Sequence, residues 1–292
     1  MEDNTATACD ERADPRLRWR NLSQSERDAA YDNNGAVKNS AALIAERNRL
    51  SAEFRAAHSA TLDIPYGRQD RTKFDLYVGG DSKAPCLVFL HGGYWQRNSR
   101  EVFAMLAEGL AAHGWSVAIP GYTLAPEATL TQIVGEISLA LDWLARNGAS
   151  FGIAGQTVLS GWSAGAHLAA LALDHPAVAA GLAISGIYDL APLRDTSLNL
   201  ALQLTGVEVA SLSPLKRPVA PKRLAIAYGS AELPALAQDA RNFHALRAGA
   251  GAPGELIVVE GADHFTILDE LRRPDGALAR AARALMEDDG DA

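Results

Sequence analysis

The chain has 292 residues, 48% of them hydrophobic and 21% charged, an ordinary globular composition whose length fits one α/β domain around a single core. A formal net charge of −8 without a basic stripe argues against nucleic acid as a partner, and an anionic substrate would need a local basic pocket. The two cysteines, Cys9 in a polar N-terminal stretch and Cys86 in an apolar run, provide neither a disulfide framework nor a metal-ligand spacing.

Residues 1–58 read as a polar, charged arm that packs on the body. The first twenty lack the apolar centre of a signal peptide, and no apolar run approaches the ~20 residues needed to span a bilayer, so a cytoplasmic protein without a membrane partner is expected. Within the arm, Leu43, Ile44, Leu50 and Phe54 recur at helical spacing, which predicts a helix from Ser40 to His58.

Residues 59–292 form the body. Short β-rich runs occur at Thr61 to Tyr66, Phe74 to Val78, Cys86 to Leu90, Ser116 to Pro120, Thr157 to Ser160, Gly181 to Ser185, Arg223 to Tyr228 and Glu255 to Glu260. From the third run onward they alternate with helical patterns at Val102 to Ala112, Leu130 to Ala145, Ala164 to Leu173 and Leu236 to Leu246, and a last helix covers about Leu268 to Met286. This order predicts an α/β fold: a mostly parallel, eight-stranded, doubly wound sheet with helices on both faces. Between the sixth and seventh strands, Gly186 to Lys222 carries four prolines and a short apolar helix around Leu198 to Leu204, enough for a small cap over a compact ligand.

Two glycine-framed motifs follow predicted strands, where open α/β sheets carry their chemistry. Gly161-Trp162-Ser163-Ala164-Gly165 has the G-x-S-x-G pattern of an elbow that lifts a serine hydroxyl above the sheet. His91-Gly92-Gly93-Tyr94-Trp95 is a loop whose backbone N–H groups can meet a developing oxyanion. The expected oxyanion hole comprises the amides of Gly92, Gly93 and Ala164, while the His91 side chain braces the loop. Serine needs a base, and the base needs an orienting acid, in the chain order Ser, acid, His. His264, just beyond the last strand, takes the base position, since His244 falls near the end of a helix.

The loop after the seventh strand contains no aspartate, so Glu232 is the candidate acid. Asp239 is its rival, although inside a helix its side chain reads as a solvated surface charge, and Glu232 could instead serve the N-terminus of the following helix. Asp263 and Asp189 read as loop hydrogen-bond acceptors. Tyr94, Trp95 and Tyr188 are the candidates for substrate contact, with ordinary packing as the alternative for Tyr94 and Trp95. Arg97, Arg100 and Arg194 are candidates for receiving a charged substrate head, and Trp162 should pack against the sheet.

The segments His91-Gly92-Gly93-Tyr94-Trp95-Gln96, Tyr122 to Pro126, Ser160 to Ala170 around Ser163, Ser185-Gly186-Ile187-Tyr188-Asp189-Leu190 and Asp263-His264-Phe265 together resemble the arylformamidase, or kynurenine formamidase, group of α/β-hydrolases. The resemblance spans most of the chain from about residue 26. It implies hydrolysis of N-formyl-L-kynurenine to formate and L-kynurenine in tryptophan breakdown, with Ser163 as nucleophile and His264 as base, and with no metal or cofactor. The usual acid of that group is an aspartate followed closely by proline, whereas this chain has Glu232-Leu233-Pro234. A small-ester carboxylesterase is the rival within the same chemistry, a non-catalytic binding module is disfavoured, and a homodimer is left open.

Overall fold

The computed structural model describes residues 19–58 and 61–287; Cys9 and the acidic C-terminal tail lie outside them. Eight strands form one sheet: β1 (Ile64–Pro65), β2 (Lys73–Tyr77), β3 (Cys86–Leu90), β4 (Ser116–Pro120), β5 (Thr157–Trp162), β6 (Val178–Ile184), β7 (Leu224–Gly229) and β8 (Leu256–Val259). Their spatial order is β1-β2-β4-β3-β5-β6-β7-β8. Strand β2 runs antiparallel to β1 and β4, and every pairing from β4 to β8 is parallel.

Apolar residues fill the central strands because both faces are covered. Alternation then sends neighbours to opposite sides: Leu87 and Phe89 join one core, Cys86, Val88 and Leu90 the other. Helices Leu130–Asn147, Ala164–Leu171 and Pro234–Gly249 contribute to the second of these cores. The segment Arg100–Ala111 and the helix Ala277–Ala284 cover the other face.

Several boundaries differ from the sequence expectation. The first strand shrinks to two residues, while β6 begins at Val178, three residues early. The helix expected over 102–112 is a 3-10 segment, Arg100–Leu106, followed by one α-turn, Ala107–Ala111. The expected C-terminal helix is broken into Thr266–Leu268, Asp269–Arg272 and Ala277–Ala284, since Pro274 cannot continue a helical turn. The cap holds two short helices, Asn199–Leu202 and Gly206–Leu212, the second opened by a capping box between Thr205 and Glu208.

The arm helix spans Ser40–Ala57 and lies against Arg100–Leu106. Arg55 from the helix and Arg100 both reach the fully buried Asp75 of β2, at 2.8 and 3.1 Å. Ser51 Oγ accepts from the Met105 amide, and Leu50 and Phe54 pack on the core beneath. Two further short helices, Gln24–Ala29 and Asn33–Ala36, continue the arm across the top of the molecule.

Candidate active site

The chain turns sharply at Ser163, whose φ of 56° and ψ of −120° place a non-glycine residue in a sparsely populated region. Such a conformation costs on the order of 1–3 kcal/mol and persists only where the surroundings impose it. Here the Ser163 amide donates to Ile184 O at 2.8 Å on the adjacent strand, and the helix Ala164–Leu171 starts at once. Gly165 permits this turn by close approach, since a Cβ there would stand 1.9 Å from Leu90 O.

The loop after β3 meets the elbow directly. A Cβ on Gly92 would lie 2.6 Å from Trp162 O and 2.9 Å from Ser163 Cβ, so only glycine brings this backbone so near the serine. Gly92 O accepts from His91 Nδ1 at 2.9 Å and from Asn98 Nδ2 at 3.1 Å, which fixes the plane of the Gly92–Gly93 peptide. The buried His91 ring stacks on Tyr122 with centroids 4.2 Å apart, and burial pushes its pKa down to about 3, so it is a neutral brace. Tyr122 Oη donates back to His91 O at 2.6 Å. Tyr94 and Trp95 continue the loop with φ of 53° and 57°.

Glu232 and His264 come together at the carboxyl ends of β7 and β8. His264 Nδ1 is 3.0 Å from Glu232 Oε2, and both side chains are almost wholly buried. The other carboxylate oxygen, Oε1, accepts from the Gly229 amide at 2.9 Å and from Ser185 Oγ. These donors converge on one carboxylate. Trp162 Nε1 donates to His264 O at 2.8 Å, and the two rings lie 4.7 Å apart, so the tryptophan packs as expected and also anchors the loop of the histidine. Ser163 and His264 open into the same cavity, without a direct hydrogen bond between them. Catalytic contacts of this kind often tighten only around substrate.

Asp239 stands elsewhere. Its carboxylate accepts the amides of Tyr188, at 2.7 Å, and Asp189, at 3.2 Å, so it is an internal cap and not the solvated charge expected. Burial raises its pKa to about 7, offset in part by those backbone donors. Asp263 accepts the amides of Phe265 and Thr266, and Asp189 accepts from Ala191 N and Lys216 Nζ, loop roles of the expected kind.

The cavity measures about 530 Å³. Gly93, Tyr94, Trp162, Ser163 and His264 form its floor, and Thr196 to Leu198 of the cap contribute one wall. Of the three aromatic candidates, only Tyr94 lines it. Trp95 is fully buried edge-on to His167, and Tyr188 is stacked on Phe243, so both are packing residues. Arg100 is consumed by Asp75, Asp63 and Glu101, whereas Arg97 does line the cavity and Arg194 does not.

The arm supplies the rest, a contribution that sequence reasoning missed. Ser25, Asp28, Tyr31 to Asn34, Ile44 and Arg47 line the cavity. Tyr94 Oη donates to Tyr31 O at 2.5 Å and accepts from Asn33 Nδ2 at 3.0 Å, which ties floor to roof. Asp28 accepts the Ser197 amide at 2.7 Å and joins the arm to the cap. Ser185 and Asn98 were also missed, and positive φ values of 52° and 70° belong to the fold and not to the sequence.

Known proteins of similar sequence and fold are hydrolases. A family model described as BD-FAE matches residues 74–176. The chain is 28% identical over 276 residues to a kynurenine formamidase of Danio rerio, covering 87% of this chain and 93% of that one. It is also 28% identical to an isoprenylcysteine alpha-carbonyl methylesterase of Arabidopsis thaliana, over 72% of this chain and 58% of the relative. A solved structure from Silicibacter sp., described provisionally as a thioesterase, superposes with a TM-score of 0.80 at 28% identity, covering 88% of this chain and 99% of that one. Fold, cavity and relatives together define a hydrolase of the α/β-hydrolase class. Within that class the chain is kynurenine formamidase-like. No described helix is long and apolar enough to cross a membrane, and among the described residues no cluster of three or more His, Cys, Asp or Glu side chains could hold a metal ion.

Proposed function

We propose that this protein hydrolyses an N-formyl aryl amide, N-formyl-L-kynurenine, to formate and L-kynurenine. The observation that carries the reading is the Glu232 carboxylate: it accepts His264 Nδ1 at 3.0 Å while two further donors saturate its second oxygen, beside the cavity that holds Ser163. With Nδ1–H held by Glu232, the Nε2 of His264 is the basic nitrogen. Ser163 Oγ attacks the formyl carbon as Nε2 takes its proton. The amides of Gly92, Gly93 and Ala164 receive the charge on the former carbonyl oxygen, each such donor contributing ~3–4 kcal/mol. The C–N bond then breaks as imidazolium returns the proton to the aryl nitrogen. Water, deprotonated by the same histidine, attacks the formyl-serine ester and releases formate.

Several features support the substrate class. Tyr94 stands beside the hole, leaving acyl space suited to a formyl group, and the 530 Å³ cavity accommodates an aryl amino acid. The relatives of matching length are named kynurenine formamidases. A small-ester carboxylesterase is the second reading, favoured by the methylesterase relative, since one such triad cleaves both bonds. The deciding measurement is kcat/KM for N-formyl-L-kynurenine beside p-nitrophenyl acetate. Ser163→Ala should abolish both activities, together with labelling by an organophosphonate. Preference for the ester by several decades would sink the formamidase reading. The expected address is the cytoplasm, and light scattering decides whether the chain pairs into a homodimer.

A further inference from the structure

A cationic side chain that enters the cavity from the arm forms no ion pair there among the described residues. Arg47 lies on the Ser40–Ala57 helix, one turn from Ile44, and both line the cavity with Ser163 and His264. The residue is only 6% exposed. Its guanidinium sits over the Phe103 ring, 4.4 Å from the centroid, and its hydrogen bonds go to two neutral amides: Asn48 Oδ1 at 3.0 Å and Asn98 Oδ1 at 3.5 Å. No carboxylate among the described residues forms an ion pair with it. The two acids lining the same cavity are engaged elsewhere, Asp28 with the Ser197 amide and Asp32 with the Gly35 amide. Burial lowers the arginine pKa to about 10, which leaves the group cationic at neutral pH.

A buried charge without a partner is unfavourable in the free protein and becomes favourable when a ligand brings the opposite charge. Two chains of contacts link Arg47 to the reaction centre. Asn98, which Arg47 touches, holds Gly92 O of the oxyanion loop, and Phe103, on which Arg47 lies, packs against Trp162 and through it against His264. Arg97, exposed and lining the same cavity, adds positive charge there.

We propose that Arg47 is the carboxylate-receiving residue of the active site, binding the acid group of an aryl substrate by a charge-assisted, fork-shaped pair while Ser163 faces its acyl carbon. This rests on the hydrolase reading above and extends it: the preferred substrates carry a carboxylate remote from the scissile bond. Arg47 then determines specificity through binding. Asn98 positions the guanidinium and the oxyanion loop together, which links recognition of the acid to the geometry of the hole.

The test uses the full chain and two matched comparisons: N-formyl-L-kynurenine against its α-carboxamide, and 3-acetoxybenzoate against phenyl acetate. For each carboxylated member, Arg47→Met should lower kcat/KM by about 100-fold, mainly through KM, the size expected for loss of a charged hydrogen-bonded pair. Each neutral member should lose at least about 10-fold less than its carboxylated partner, and Arg47→Lys should recover part of the loss, because charge survives without the fork. An equal loss on charged and neutral members would overturn the proposal and leave Arg47 a brace for Asn98. If Arg47→Met does not fold, Arg47→Lys decides by the same criterion, and indifference of Arg47→Lys to the carboxylate overturns it. Selectivity for 3-acetoxybenzoate that depends on Arg47, without turnover of N-formyl-L-kynurenine, would uphold the subsite and reject the formamidase. Turnover of N-formyl-L-kynurenine that is untouched in Arg47→Met would do the reverse.

Discussion

Glu232 accepts from a histidine, a serine hydroxyl and a backbone amide at once, so its charge and its shape are both in use. Glu232→Gln keeps the volume but presents an NH2 to groups that are themselves donors. We expect kcat to fall by about 10⁴-fold with KM little changed, the order known for an acid-to-amide exchange in such a triad. Asp239→Asn should leave kcat within about 3-fold, since that carboxylate caps Tyr188 and Asp189 away from the cavity. The same substitution has a consequence for stability. The pKa of Asp239 is raised from 3.8 to about 7, so on titration upward the unfolded chain loses this proton first and the folded chain binds the excess. Its contribution is therefore fully present below pH ~4 and is lost as pH rises through about 7. Tm of the wild type should fall between pH 5 and pH 8 relative to Asp239→Asn, which cannot titrate. Parallel Tm profiles for the two proteins would exclude an ionisation penalty at this site. The meeting of Glu232 with His264 was legible because a triad prescribes the order and station of its members. The capping role of Asp239 was not, because it depends on how the helix Pro234–Gly249 meets the loop after β6.

At the scale of elements, the elbow depends on how closely a helix can approach a strand. In Gly165→Ala the new Cβ would overlap Leu90 O at 1.9 Å, and a backbone atom cannot step aside cheaply. Overpacking of this kind costs at least ~1–3 kcal/mol, so urea denaturation should show that loss together with loss of activity from a displaced Ser163. Gly135→Ala is the opposite case. It lies on the exposed face of the helix Leu130–Asn147 with nothing within 4 Å of a Cβ, and should stabilise by about 0.5–1 kcal/mol. Strand positions were readable from apolar runs, since a buried parallel strand must be apolar on both faces. Helix ends were less so. The 3-10 start at Arg100 answers to an ion pair with Asp75 on another element, a constraint that helical periodicity does not carry.

At the scale of the molecule, Asp75 joins three parts: the arm helix through Arg55, the segment after the oxyanion loop through Arg100, and the sheet through β2. Asp75→Ala would strand the buried Arg100 near Asp63 and Glu101 alone and free the arm helix from the sheet. A loss of roughly 3–5 kcal/mol is expected by denaturant unfolding, with a raised KM because the arm lines the cavity. The arm's helix was visible in the sequence as a periodic pattern, yet its part in the site was not. What the amino-acid order determined alone is local: continuously apolar strands, the glycines that allow a strained serine and the close approach of the loop after β3, and a histidine just past the last strand. Each follows from steric and periodic rules acting over a few residues. Tertiary structure alone decided that Trp95 and Tyr188 turn into the core, that Ser185 saturates Glu232, and that Arg47, over a hundred residues before Ser163 in the chain, reaches the cavity. Those outcomes depend on the packing of segments distant in sequence, where the rotation of one helix by a single residue changes which side chain faces the substrate.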